Sequence, residues 1–337
     1  MLEPRGADSS MFDPAADDSA RVTTQARDAL SQGRIADALE AVDQARRDVD
    51  LDDLSRARLA LTGLLGRLAL GDLRGASGYS RELTTLMRVR GLVGATATFG
   101  LGEFAAARSQ ADQAVSYYEH TGEELESARD HTWLPWRSGL ARVIAARGEV
   151  GRATTLVRAE LADARILDSA YAVAHALRTQ AAIAPTHERV ALLDEALEVL
   201  EGTGFARLDA QIRTDLAGWI LLLHPEDSAR AVDLLRSAEK YARQEELGPL
   251  LSRVRWLLER LGEAPDGELP GRLAELSAAE RRVAQLVVVG KRNREIAAEL
   301  GVSVKSVEWH VSHILRKLSI TSRTELSNAL AQPRQTR

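Results

Sequence analysis

Gly301-Val302-Ser303-Val304-Lys305-Ser306-Val307-Glu308-Trp309-His310-Val311-Ser312-His313-Ile314-Leu315-Arg316-Lys317-Leu318 is the stretch that decides the architecture of this 337-residue chain. Gly301 is suited to end one segment. Ser303 can cap the next, because its hydroxyl accepts from a backbone N–H that has no partner in the first turn of a helix. No Gly or Pro interrupts residues 304–318. Stepped at about 100° per residue, Val307, Val311, Ile314, Leu315 and Leu318 fall on one arc, which is the one to bury. The opposite arc carries Lys305, Trp309, Ser312, His313 and Arg316, flanked by Ser306, Glu308, His310 and Lys317.

Upstream, Ser277 followed by Glu280 is a capping box that starts a helix, and Gly290 suits its end. A second helix is predicted from Asn293 to Leu300, with Ile296, Ala297 and Leu300 inward. Downstream, the pair Ser322 and Glu325 starts a fourth helix that runs to Leu330. Helix, tight glycine-containing turn, helix is the helix-turn-helix plan, with 304–318 as its exposed reader. Cations, hydroxyls, imidazoles and an indole on one face are poor solubilising design. They suit a DNA major groove, where cations meet phosphates and polar tips meet base edges.

Further upstream the texture changes. Two Pro and three Gly between Gly262 and Arg272 break every periodicity and mark a linker. Before it, from Ala20 to about Leu261, the chain is rich in Ala, Leu, Arg and Glu with helical spacing throughout. In His187 to Leu200, for example, Val190, Leu193, Ala196, Leu197 and Leu200 form one stripe. The pattern repeats: Gly33 and Ala38, Gly71 and Ala76, Gly102 and Ala107, and Gly148 and Ala153 each place a turn glycine five residues before a small helical residue. Degenerate turns come next at Pro185 and at His224-Pro225, giving intervals of 38, 31, 46, 37 and about 40 residues. These helical hairpins resemble the tetratricopeptide class without its aromatic consensus. The expectation is an all-α chain: a disordered tail at 1–18, a helical-repeat sensory or assembly domain at 19–261, a linker at 262–273 and a four-helix helix-turn-helix domain at 274–337.

Charge agrees with this division. The net −5 of the whole chain separates into +6 for residues 270–337 and −11 for residues 1–269, and three of the four lysines lie in the C-terminal part. One domain is thus suited to a polyanion and the other is not. With no Cys, thiolate zinc sites, disulfides and Cys nucleophiles are excluded. No apolar run approaches the roughly 20 residues of a membrane span, and Met1 to Ala20 has no signal-like segment, so a cytoplasmic protein is expected.

Four linked stretches carry a specific resemblance. They are Leu276-Ser-x-x-Glu-Arg-x-Val-x-x-Leu, Gly290-Lys-Arg-Asn-Arg-Glu-Ile-Ala, Val302 through Leu318, and Ser322-Arg-Thr-Glu-Leu. Together they resemble the LuxR-type DNA-binding domain of bacterial transcription regulators. The resemblance implies that Asn293 and Glu295 belong to the scaffold of the second helix. It implies that Lys305, Ser306, Glu308, Trp309 and His310 sit where that family contacts DNA, and that Arg316 and Lys317 form a basic helix end. His313, on the same face, joins them. Leu326, Ala329 and Leu330 match the last helix, used for dimerisation. Arg292 departs from the family, which has a small hydroxyl residue there to cap the second helix. Glu308 stands where a basic residue is common, and is open to two roles: accepting from cytosine N4, or pairing with Lys305 one turn earlier. Residues 205–261 are similar to the helical segment of the large ATP-binding LuxR-type regulators. The only Gly-Lys pair, Gly290-Lys291, lacks the remaining phosphate-loop residues, so no ATP switch and no other cofactor is expected.

Elsewhere the chemistry is sparse. His187-Glu188 begins a zinc-protease pattern that Ala191 breaks. Asp48, Asp50 and Asp52 imitate a calcium loop without its Gly and Glu, and are read as loop and cap residues; no metal site and no enzyme are expected. The pairs Glu123-Glu124 and Glu245-Glu246 are read as solvated. The one unusual concentration is Tyr117, Tyr118, His131, Trp133 and Trp136, in the 46-residue interval. It is either an effector or partner site or the filling of a wider hairpin. The expected function is a bacterial DNA-binding transcription regulator, a homodimer on a two-half-site operator of double-stranded DNA, controlled by a ligand or protein at its repeat domain, with no membrane partner. The alternative is a helical-repeat interaction adaptor whose C-terminal module anchors it to DNA.

Overall fold

The computed structural model describes residues 14–48, 51–127, 134–263, 276, 278–288, 291–300, 302–318, 320, 322 and 326. Among them there is no strand. The chain forms two compact units, residues 1–254 and 255–337. In the first unit, helices α1 (Pro14–Gln32) and α2 (Ile35–Asp48), α3 (Asp53–Leu70) and α4 (Leu73–Leu86), α5 (Leu92–Ala107) and α6 (Ala111–Ser127), α7 (Trp136–Ala145) and α8 (Val150–Ile166), α9 (Ala170–Ile183) and α10 (Arg189–Leu200), and α11 (Ala206–Leu223) and α12 (Ser228–Gln244) are six successive hairpins. Helix α13 (Gly248–Arg260) comes next, and the division between the units falls inside it rather than at residue 262. Helix α1 begins within the stretch read as a tail. The linker lies mostly outside the described residues.

One turn geometry recurs. At Gly33, Gly71, Ser109 and Gly148, each at positive φ, the N–H of the turn residue donates three residues back and the next N–H donates five residues back, as in Gly71 to Leu68 O at 3.0 Å and Asp72 to Arg67 O at 2.9 Å. This closing pattern satisfies the last carbonyls of the first helix and reverses the chain. The third turn corrects the sequence-based expectation. Gly102 is buried in the middle of α5, Ala107 is exposed, and the turn residue is Ser109, with Ala114 five residues later fully buried. Turns at Gly33, Gly71, Ser109, Gly148, Pro185 and Pro225 then succeed one another at 37 to 40 residues, without the 31 and 46. Positive φ costs a non-glycine residue about 1 kcal/mol. Ser109→Gly is therefore expected to raise stability by about 0.5–1 kcal/mol in calorimetry of the full chain; a loss would show that the Ser109 side chain contributes more than its backbone strain costs.

Gly102 serves a different purpose. A Cβ there would lie 2.7 Å from the Tyr118 ring, and one at Gly139 would lie 2.5 Å from the same ring. Tyr118 fills this notch with no exposed surface, and its hydroxyl donates to Glu103 at 2.7 Å. Tyr117 packs half-buried against the same cores, and the Trp136 ring occupies the space beside Gly122. His131 and Trp133 lie outside the described residues.

One carboxylate in each adjacent pair differs from expectation, while Glu123 and Glu246 are exposed. Glu124 is buried and accepts from the Gly91 N–H at 2.6 Å, at the start of α5, with Arg90 at 3.4 Å. Glu160 does the same for α7, accepting from Ser138 N–H at 3.1 Å. A carboxylate at a helix N-terminus satisfies an orphan donor and meets the positive end of the dipole, which offsets its burial. Asp52 caps α3 through the Ser55 N–H at 2.6 Å, the cap role read from its sequence.

The first hairpins meet the last. Tyr241 Oη donates to the Gly33 carbonyl at 2.7 Å, 208 residues away in sequence. Glu245, read as solvated, accepts from the Ile35 N–H at 3.0 Å. Around these bonds Ala29, Leu30, Ile35, Ala38 and Leu39 share a core with Ala242 and Leu247. The hairpin array thus closes on itself within the first unit. No described helix is long and apolar enough to cross a membrane.

Candidate nucleic-acid interface

In the second unit, α14 (Ala278–Val288), α15 (Asn293–Leu300) and α16 (Val304–Lys317) pack around Leu276, Val283, Ala284, Val287, Ile296, Ala297, Val307, Ile314, Leu318 and Leu326. The predicted inward arc of α16 is the buried one: Val307, Ile314 and Leu318 are in this core, with Val311 and Leu315 against it. Ser303 caps α16, its Oγ accepting from Ser306 N–H at 3.1 Å and sharing a hydrogen bond with Ser306 Oγ at 2.8 Å. Helix α15 starts without the family's hydroxyl cap. Glu295 reaches back instead, accepting from the Arg292 N–H at 2.7 Å, which is half of a capping box. Leu326 is fully buried in its own domain's core. Ala329 and Leu330 lie outside the described residues, as does most of the expected fourth helix.

The outward arc divides into engaged and unengaged groups. Lys317 Nζ is 2.7 Å from a carboxylate oxygen of Glu280, which is 4% exposed, and His313 Nδ1 is 3.7 Å from the other oxygen. The basic end of α16 is therefore tied to α14, and Lys317 serves as a structural anchor. Nothing in local spacing announces this pair, 37 residues apart. Arg316 bonds to His313 Nε2. Among the described residues, Lys305 and Glu308 form no ion pair, with each other or with any other side chain, so the pairing considered for Glu308 is not made. Trp309 is 56% exposed. Its indole stacks on the His313 ring at 4.2 Å and meets His310 edge-on at 5.0 Å. The His310 Nδ1 is buried without a hydrogen-bond partner. Ser303, Lys305, Ser306, Trp309 and His310 line a shallow cleft of about 320 Å³ at the start of the helix.

Three packed helices, a capped reader and an outward cationic and aromatic face form a plan that known proteins share. The luxR family of bacterial regulatory proteins matches residues 274–329. Residues 274–329 are a LuxR-family helix-turn-helix domain. The chain is 32% identical over 107 residues to the transcriptional regulatory protein LiaR of Bacillus subtilis, covering 31% of this chain and 46% of LiaR. It is 47% identical over 51 residues to the oxygen regulatory protein NreC of Staphylococcus carnosus, covering 15% and 24%. To the transcriptional regulatory protein UhpA of Salmonella typhimurium it is 40% identical over 60 residues, covering 18% and 31%. The matches thus span less than half the length of each relative. Among solved structures, a Rap protein complexed with competence and sporulation factor aligns with a TM-score of 0.36 and 15% identity, over 93% of this chain and 99% of that one.

Within this LuxR-family domain the Lys317 anchor has a measurable consequence. Lys317→Met is expected to lower the domain's stability by about 1 kcal/mol, because it leaves Glu280 shielded with a weakened set of partners. The salt dependence of DNA binding should stay as it is, since this ammonium already faces a carboxylate. A flatter salt slope for the variant would return Lys317 to the phosphate-contacting set.

Proposed function

We propose that the chain is a DNA-binding transcription regulator that lays α16 in the major groove and is controlled through its helical-repeat domain. The observation that carries this is the face at the start of α16: the unpaired Lys305 ammonium and Glu308 carboxylate, the exposed Trp309 and the half-buried His310, presented by a capped helix on a packed three-helix scaffold. Lys305 supplies a phosphate contact. Glu308 and Trp309 supply base discrimination, and the His313 ring holds the indole in place. A single module of this size buries too little surface for tight specific binding, so a homodimer on two half-sites is the working form. The +6 charge of residues 270–337 supports non-specific capture at low salt.

The test is selection of duplexes from a random pool by the full chain, and then fluorescence anisotropy on the selected sequence and on a scrambled one. A recurrent motif bound at least a thousandfold tighter than the scramble is expected. Enrichment of no sequence, with binding to both duplexes alike, would favour the adaptor function instead.

A further inference from the structure

The closed hairpin array encloses a polar wall that the C-terminal domain does not explain. On α9, Tyr171, His175 and Arg178 are spaced by four and three residues and share one face; on α11, Arg207, Gln211 and Asp215, each four residues from the next, share another. The two faces meet, with Arg178 bonded to Asp215 at 2.7 Å and to Gln211 at 2.8 Å. Tyr171 stacks on His175 with ring centroids 6.4 Å apart and takes Phe205 edge-on at 5.1 Å. From α7, Arg142 reaches Glu103 at 3.0 Å. The Arg142 side chain stays 40% accessible, so this wall is reached by solvent rather than sealed in a dry core.

The charges on this wall do not cancel. Asp215 is shared by two guanidinium groups, Arg178 at 2.7 Å and Arg253 at 2.5 Å. Burial alone would raise its carboxyl pKa, but those two arginines hold it below the usual carboxylate range. Glu103 is matched by Arg142. Arg207 forms no ion pair or side-chain hydrogen bond among the described residues, although it is half-buried beside the closure point at Gly33. The fields converge on His175: burial, then Arg142, Arg178 and Arg207, all drive its pKa well below the ordinary histidine value. A cation without an ion-pair partner beside an aromatic pair favours an anion with a flat apolar part.

We propose that this inner wall binds a small aryl anion, its carboxylate or phosphate on Arg207 and its ring against Tyr171 and Phe205. This gives a chemical class to the effector of the repeat domain and rests on the proposed function only for its regulatory meaning, since the binding itself involves no DNA. Benzoate and phenyl phosphate are the probes, with inorganic phosphate and benzylamine as comparisons. The full chain is titrated with each while the ring signal of His175, assigned with His175→Asn, is monitored by NMR.

Saturable shifts with both aryl anions are expected, at least tenfold weaker binding of inorganic phosphate, and no shift with benzylamine. Arg207→Met should weaken the aryl anions at least tenfold while leaving the melting temperature of the free protein unchanged, because it orphans no carboxylate. Should the variant fold less stably, Arg207→Lys is the second test: it keeps the charge and should retain most of the phenyl phosphate affinity. A His175 signal that no anion moves, equal binding by wild type and Arg207→Met, or equal response to benzylamine would each overturn the proposal. DNA binding measured with and without benzoate then asks separately whether the site regulates; failure there leaves the site in place and removes only its control role.

Discussion

Gly33→Ala is expected to destabilise the repeat domain by about 3 kcal/mol or more, while Gly148→Ala costs about 1 kcal/mol. The two glycines end first helices of hairpins in the same backbone conformation, φ +86° and +91°, and close the same pair of hydrogen bonds. Left-handed strain on a new Cβ is thus common to both. Their surroundings differ: nothing lies within 4 Å of a Cβ at Gly148, whereas at Gly33 it would overlap Tyr241 Oη and sit 2.8 Å from the Arg207 backbone nitrogen. The hydroxyl can move, but only by giving up its bond to the Gly33 carbonyl, and the backbone of α11 can move only by disturbing the packing of its buried Leu208, Ala210 and Ile212. The difference between the two variants in calorimetry of the full chain therefore measures what closure contributes. In a Tyr241→Phe background the Gly33→Ala loss should shrink, since the nearest obstacle is gone. Equal losses at Gly33 and Gly148 would mean that the first and last hairpins meet without stabilising the domain.

Closure is also the feature that the sequence does not disclose, and the reason is physical. A hairpin announces itself over about 40 residues, through a turn residue and a small partner five positions on. The contact between Gly33 and Tyr241 has no local signature. Its consequence is that polar stripes which look solvated on single helices, such as Tyr171, His175 and Arg178, turn inward together. Glu124 and Glu245 mislead for a related cause: a carboxylate that caps the helix of a neighbouring segment has the same local sequence as one in water. Gly102 shows the opposite error, a glycine that resembles a turn when its missing side chain makes room for Tyr118. Ser109 escapes notice because it holds positive φ without being glycine. In α16, by contrast, both faces are legible, since burial there tracks the 3.6-residue period of one amphipathic helix. What the period does not resolve is which outward cations are free, because Lys317 is tied down by Glu280 from another helix.

Trp309→Ala and Lys305→Ala are expected to fail in different ways, and the contrast tests the assignment of roles on α16. Trp309 is exposed, so its loss removes little from the domain core and the variant should keep its melting temperature. Its indole is held by the His313 ring in a fixed orientation, and a large rigid group of that kind at a groove contact is worth about 1–3 kcal/mol. Affinity for the selected duplex should therefore fall about ten- to a hundredfold, with binding to the scrambled duplex nearly unchanged. Lys305 carries a single unengaged charge. Its removal should weaken both duplexes alike, and the slope of log affinity against log salt should flatten by about 0.9 per lost phosphate contact. Anisotropy titrations of both duplexes at several salt concentrations separate the outcomes. If Trp309→Ala lowers both affinities equally, the indole is only packing against the DNA backbone; if Lys305→Ala leaves the slope untouched, the ammonium meets no phosphate and the start of α16 does not lie in the groove.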